Sequence, residues 1–260
     1  MVAITLPDGS VRNFDGPVTG AALAADIGPG LAKAALAVKV DGELRDLSRT
    51  IEADAGVEIV TRDHEDALEL LRHDAAHVFA EAVQELYPGT QITFGPAIED
   101  GFYYDFILSE PITEDDFKAI EKKMKFIIKQ RQKFESEELS ASSALARIDE
   151  MGEPYKREYA EDLIEKQGLD SLTFYQNGPF LDMCEGPHVE HTGQLPAGGF
   201  KIRSVAGAYW RGDSDNVMMT RLYAWAFESK EELEAHAKAY KEAQARDHKK
   251  LGRELDLFVI

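Results

Sequence analysis

Two short segments hold the side chains best suited to chemistry near neutral pH: Arg72-His73-Asp74-Ala75-Ala76-His77 and Asp182-Met183-Cys184-Glu185-Gly186-Pro187-His188. The single cysteine of the 260-residue chain lies four positions before a histidine, and a second histidine pair has the same spacing. Imidazole and thiolate bind transition metals and move protons near pH 7. Residues four apart on a helix point the same way, so His73 and His77 would present two rings side by side. Three chemistries compete for the set. Three imidazoles and a thiolate give zinc four ligands. The same groups without metal can hold and deprotonate a water. Cys184 beside a histidine base is a covalent nucleophile. Asp182 is placed to orient a histidine or a substrate amine. Spacing alone does not choose among these, and it says nothing about substrate.

Such a site needs a helix and a loop, and the hydrophobic pattern supplies both. Over residues 66–86, Leu68, Leu71, Ala75, Val78, Phe79, Ala82 and Leu86 fall on one stripe at about 100° per residue. His73 and His77 lie roughly opposite it, which predicts a pair facing solvent or a cleft. Leu172-Thr173-Phe174-Tyr175, Gln176-Asn177-Gly178-Pro179 and Phe180-Leu181-Asp182 read as strand, turn, strand, delivering Cys184 and His188 on a Gly-Pro loop. Ile92-Thr93-Phe94-Gly95-Pro96 and Gly101-Phe102-Tyr103-Tyr104-Asp105-Phe106 predict aromatic strands. Thr113-Glu114-Asp115-Asp116 is a helix start. It leads into a stripe of Lys118, Lys122, Lys125, Lys129 and Lys133, which is either a nucleic-acid contact or a solvated face. A helix is expected over 154–167, and strands within 200–227 around the turn Arg211-Gly212-Asp213-Ser214-Asp215-Asn216.

The first 62 residues read as a separate module: two hairpins, the second with an Asp41-Gly42 turn, one Ala-rich helix and a last strand. That order suggests a β-grasp arrangement. From 229 to about 250 the chain predicts one long helix with little apolar stripe. The run Leu255-Asp256-Leu257-Phe258-Val259-Ile260 looks like a strand without a partner, which suggests a piece of something longer.

Composition bounds the function. Hydrophobic residues make up 44% and charged residues 30% of the chain, as in soluble globular proteins. No run is long enough to span a membrane, and one cysteine allows no intrachain disulfide, so a reducing cytoplasm is the expected home. A formal net charge of −19 opposes bulk attraction to nucleic acid, leaving only local contacts.

At these residues the chain resembles the N-terminal half of a bacterial threonyl-tRNA synthetase, over nearly all 260 residues. The resemblance is carried by Arg72-His73 through His77, Gly95-Pro96, Gly101-Phe102-Tyr103-Tyr104-Asp105, Pro154-Tyr155-Lys156 and the segment from Asp182 to His188. It continues through Gly207-Ala208-Tyr209-Trp210-Arg211-Gly212 and His248-Lys249-Lys250-Leu251-Gly252. It implies an α+β chain: a β-grasp TGS domain (1–62), then an editing domain with a helix-covered antiparallel sheet (63–227). A linker helix (228–252) and the start of a missing catalytic core (253–260) would follow.

The implied activity is hydrolysis of mischarged seryl-tRNA by an activated water. His73 and Lys156 would bind the water, and Cys184 and His77 would shape the pocket and pass protons. Asp182 would hold the seryl amine or hydroxyl, and His188 would complete the wall. Tyr104, with Phe94 and Gly95, would meet the ribose or ester. The family pattern places no metal here, although the alanyl relative implies zinc at His73, His77, Cys184 and His188. ATP, magnesium and one zinc belong to the missing core. The expected partner is the serine-bearing acceptor end of the threonine tRNA, with no membrane, a monomeric fragment and a homodimeric whole enzyme. Asp74 departs from the small hydroxyl residue usual in the family. Two other readings are a free-standing alanyl-type editing hydrolase and a non-catalytic tRNA-docking module.

Overall fold

A computed structural model describes residues 1–246. The N-terminal module contains β1 (Val2–Thr5), β2 (Val11–Phe14), β3 (Val18–Thr19), α1 (Gly20–Ile27), α2 (Pro29–Ala34), β4 (Ala37–Val40), β5 (Glu43–Arg45), β6 (Thr50–Ile51) and β7 (Ala55–Val60). Its five-stranded sheet has the order β2-β1-β7-β4-β5, with β1 and β7 parallel, which is the expected β-grasp arrangement. The β4–β5 hairpin turns at Asp41 and Gly42, both at positive φ (49° and 90°). A two-residue turn needs that conformation to match the strand twist, and Asp-Gly adopts it at little cost. Ile4, Leu23, Val38 and Val57 fill the module's own core. The pattern predicts one helix and neither the short β3–β6 pair nor α2, which starts at Pro29 where the first helix stops.

The larger unit begins with α3 (Ala67–Leu86), then β8 (Gln91–Ile92), β9 (Ala97–Ile98), β10 (Gly101–Ile107), α4 (Phe117–Gln130), β11 (Phe134–Ser140), α5 (Ala141–Met151) and α6 (Pro154–Gln167). It continues through β12 (Ser171–Asn177), β13 (Phe180–Met183), β14 (Phe200–Tyr209) and β15 (Met218–Ala226), and α7 (Lys230–Ala245) follows. One antiparallel sheet has the order β14-β15-β10-β8, and a second joins β11-β12-β13. Helix α3 lies over the first sheet, with Phe79 edge-on to Phe102 and Phe106 at 5.5 and 5.7 Å between ring centres. Ile120, Met124 and Ile127 of α4 join the same core, as do Leu36, Ala37 and Val60 of the N-terminal module. No helix among the described residues is long and apolar enough to cross a membrane.

Four expectations need correction. Helix α3 is not a one-sided helix: Asp74, Ala76, His77, Ala80 and Glu81 are buried along with the apolar stripe, whereas Leu86 is exposed. It is the central helix, covered on the histidine side by the second sheet and its loop. The strand expected over 92–96 shrinks to Gln91–Ile92, because Pro96 has no N–H to donate and Gly95 lies flat against the Tyr104 ring, where a Cβ would clash. The lysine stripe ends at Lys129. Arg131 adopts the left-handed conformation that closes α4, so Lys133 is off the helix. The segment 134–151, left unassigned by the hydrophobic pattern, forms β11 and α5, the latter capped by the Ser140 side chain. The expected continuation of the last helix to 250, the match at 248–252 and the run 255–260 lie outside the described residues.

Candidate active site

Helix α3 delivers His73 and His77 one turn apart, their ring centres 5.0 Å from each other. The loop after β13 brings Cys184 and His188 to meet them. His188 stands 4.7 Å from His73 and 4.4 Å from His77, ring centre to ring centre. The Cys184 Sγ lies 3.0 Å from His73 Nε2 and also accepts the Gly186 N–H at 3.3 Å. One ligand atom from each of the four residues falls within 4.8 Å of all the others. The loop can approach this closely because residue 186 is glycine: its φ is +75°, and a Cβ would sit 2.3 Å from the Tyr175 hydroxyl.

Beside this cluster lies a buried polar network. Lys156, at the start of α6 and only 1% exposed, forms an ion pair with Asp182 Oδ1 and donates to the Thr93 carbonyl at 2.6 Å. An ammonium has three N–H donors, so one is left for a water or substrate. The Tyr104 hydroxyl donates to Asp182 Oδ2 at 2.9 Å. Tyr104 is 1% exposed yet reaches the cleft, and its hydroxyl fixes the Asp182 carboxylate. The Phe94 ring lies 5.0 Å below the Lys156 ammonium, and Gly95 packs on Tyr104. These residues line an open cleft of about 1000 Å³, together with His73, His77, Asp182, Cys184 and, from the N-terminal module, Lys39, Gly42 and Leu44.

Sequence reasoning missed the partners of His188. Asp74 Oδ1 lies 2.5 Å from His188 Nδ1, and its Oδ2 accepts from the Val189 N–H (3.1 Å). It had stood out only as a departure from the family pattern. Asp46 of the N-terminal module accepts from the His188 N–H, and nothing in the spacing pointed to it.

Burial dominates the protonation states. It holds His73 and His188 down to about 4 and His77 well below its ordinary value, so all three imidazoles are neutral at pH 7. It pushes the Cys184 thiol up to about 12, with the Asp182 carboxylate adding to the effect. A thiol held protonated is a poor covalent nucleophile, which disfavours that chemistry relative to the other two. Asp74, wholly buried, is raised to about 8 by that burial, against the pull of His73 and the Val189 N–H.

The cluster also fits a zinc ion. His188 Nε2 and His77 Nδ1 are buried without a hydrogen-bond partner among the described residues, and three imidazoles with one sulfur match zinc's preferred donors.

Comparison with known proteins bears on the domains that carry this site. The TGS domain family matches residues 2–61, and the family of the threonyl and alanyl tRNA synthetase second additional domain matches residues 172–223. This pair of domains is that of a tRNA-synthetase editing module. The chain is 55% identical over 258 residues to a threonine–tRNA ligase of Acidiphilium cryptum, covering 99% of this chain and 40% of that protein. It is 54% identical over 261 residues to the Granulibacter bethesdensis ligase and 52% over 260 to that of Gluconacetobacter diazotrophicus, again spanning 40% of each. The chain spans about 40% of the length of these ligases, and the stretch that resembles them carries the TGS and second additional domains.

Proposed function

We propose that this chain removes serine from tRNA that should carry threonine, by attack of water on the ester at the 3′-terminal ribose. The observation that carries the reading is the convergence of His73, His77, Cys184 and His188 to within 4.8 Å of one another beside the Lys156–Asp182 pair, with His188 buried behind the three others that line the cleft. Similarity to threonine–tRNA ligases along the whole chain supports a mischarged tRNA as the substrate. A synthetic pocket built for threonine rejects a substrate lacking one methyl by only about 1–3 kcal/mol. A second pocket that admits serine and excludes that methyl corrects the error.

The chemistry follows from the protonation states. His73, neutral and at the cleft edge, accepts a hydrogen bond from the attacking water, and the free Lys156 N–H polarises it. The protonated Cys184 thiol holds His73 in place. His77 and His188 are neutral acceptors that can pass a proton toward the leaving ribose oxygen. Asp182, fixed by Tyr104 and Lys156, receives the seryl ammonium or hydroxyl, and Phe94 and Gly95 form the apolar wall. In the whole protein, a further core with ATP, magnesium and zinc would attach threonine in the cytoplasm, as a homodimer.

A second reading rests on the two unpartnered buried nitrogens: His73, His77, Cys184 and His188 would hold zinc, which when bound acidifies a coordinated water. The deciding experiment for hydrolysis is deacylation of seryl- and threonyl-tRNA by the chain. Seryl-tRNA is expected to be cleaved about 10- to 200-fold faster. Equal rates would overturn the selectivity, and no cleavage of either would favour a docking module.

A further inference from the structure

The loop carrying His188 is gripped by a residue from the N-terminal module. Asp46, which follows β5 and is only 5% exposed, accepts the His188 backbone N–H on Oδ1 at 2.6 Å. Its Oδ2 accepts the Tyr175 O–H, also at 2.6 Å, with the Arg49 guanidinium 3.8 Å away. The Tyr175 ring stands 4.3 Å from the His188 ring, and its hydroxyl fills the space beside Gly186. One carboxylate thus fixes both the backbone of His188 and the aromatic ring against it.

The module that brings Asp46 is itself firmly seated. Leu36, Ala37 and Val60 are buried in the main core. Lys39 pairs with Asp66 at 2.6 Å, Arg62 with Glu228 at 2.8 Å, and Gln194 donates to the Ala35 carbonyl at 3.0 Å. Leu44, two residues before Asp46, lines the cleft.

We propose that Asp46 is a positioning residue, through which the N-terminal module holds His188 in register with His73, His77 and Cys184. The module is then part of the hydrolytic site. The proposal rests on the hydrolytic reading above. Charge-assisted hydrogen bonds to backbone N–H groups are among the stronger neutral-pH contacts, and groups that orient a site's histidine typically change activity 10- to 100-fold when removed.

The test compares Asp46→Ala, Asp46→Asn and Tyr175→Phe with the parent chain, by steady-state hydrolysis of seryl-tRNA and by amide NMR. The amide of asparagine has one oxygen and an NH₂ that cannot accept, so Asp46→Asn keeps one of the two bonds and the side-chain size. Asp46→Ala should lower kcat by about 10- to 100-fold with KM nearly unchanged, and Asp46→Asn by less. Adding Tyr175→Phe to Asp46→Ala should cost little more, because the two side chains act as one unit. The His188 amide proton should move upfield in both Asp46 variants while that of Phe102 stays in place. Parent rates with an unmoved His188 amide would overturn the proposal. So would displacement of amides throughout both Asp46 variants, which would mark a general structural role. Absence of hydrolysis in the parent would overturn the hydrolytic reading alone, since the His188 amide still reports whether Asp46 holds it.

Discussion

Cys184 ties the loop to the helix through His73 Nε2, and burial pushes its thiol up to about 12, which favours a placing role over attack. Cys184→Ala should therefore keep the fold while lowering seryl-tRNA hydrolysis by about 10- to 100-fold. Parent-rate hydrolysis by a well-folded variant would reduce Cys184 to a wall. The depressed imidazoles make a second prediction. The neutral ring is the form that accepts the water's proton, and burial holds His73 and His188 at about 4. An ordinary histidine would charge as pH falls through about 6.5. Here the rate should stay level from pH 7 down to about 5 and fall only as pH approaches 4. A drop in kcat/KM centred near 6.5 would show that the histidine in use is not one of these. A third concerns metal. The Lys156 ammonium disfavours charge on His77 and would oppose a divalent ion close by, so the purified chain is expected to hold no stoichiometric zinc. Elemental analysis finding one zinc per chain, lost together with hydrolysis on chelation, would favour the second reading.

At the scale of elements, α3 does two jobs: it carries two site histidines and anchors the main sheet. Phe79 is fully buried between Phe102 and Phe106, so Phe79→Ala should destabilise the chain by about 3–5 kcal/mol. The midpoint of urea unfolding measures it, and a shift equivalent to less than about 1 kcal/mol would mean that α3 is not the anchor. The same helix shows what the sequence made legible. Its length and the His73–His77 spacing follow from a period of 3.6 residues, and the β12–β13 hairpin follows from the strand–turn–strand pattern, its turn falling at Gly178-Pro179. The burial of His77 does not. Phe134 of β11 and Phe180 of β13 close over its ring at 6.4 and 5.9 Å, and β11 itself, Phe-Glu-Ser-Glu-Glu-Leu-Ser, is an acidic edge strand without an apolar face. Asp46 and His188 lie 142 positions apart, and no local pattern encodes a contact of that range. Such contacts come from how whole elements dock.

Across the whole molecule, the net charge of −19 sets how this chain can approach a polyanion. Long-range repulsion leaves binding to local basic surface, and α4 offers it. Ile120, Met124, Ile127 and Ile128 bury one face of the helix, which leaves Lys118, Lys122, Lys125 and Lys129 exposed on the other. Lys123 differs, being tied to Glu85 across to α3. Each lysine that neutralises a phosphate releases bound counterions and steepens the dependence of binding on salt by roughly one unit. Changing Lys122, Lys125 and Lys129 together to Gln should weaken tRNA binding and flatten the log–log salt slope by up to about three units. The substitutions lie on an exposed face, where among the described residues only Lys125 of the three reaches a neighbouring ring, that of Phe200 at 5.9 Å, so deacylation at saturating tRNA should be unaffected. An unchanged slope would mean that the stripe is a solvated face and that the tRNA is held elsewhere.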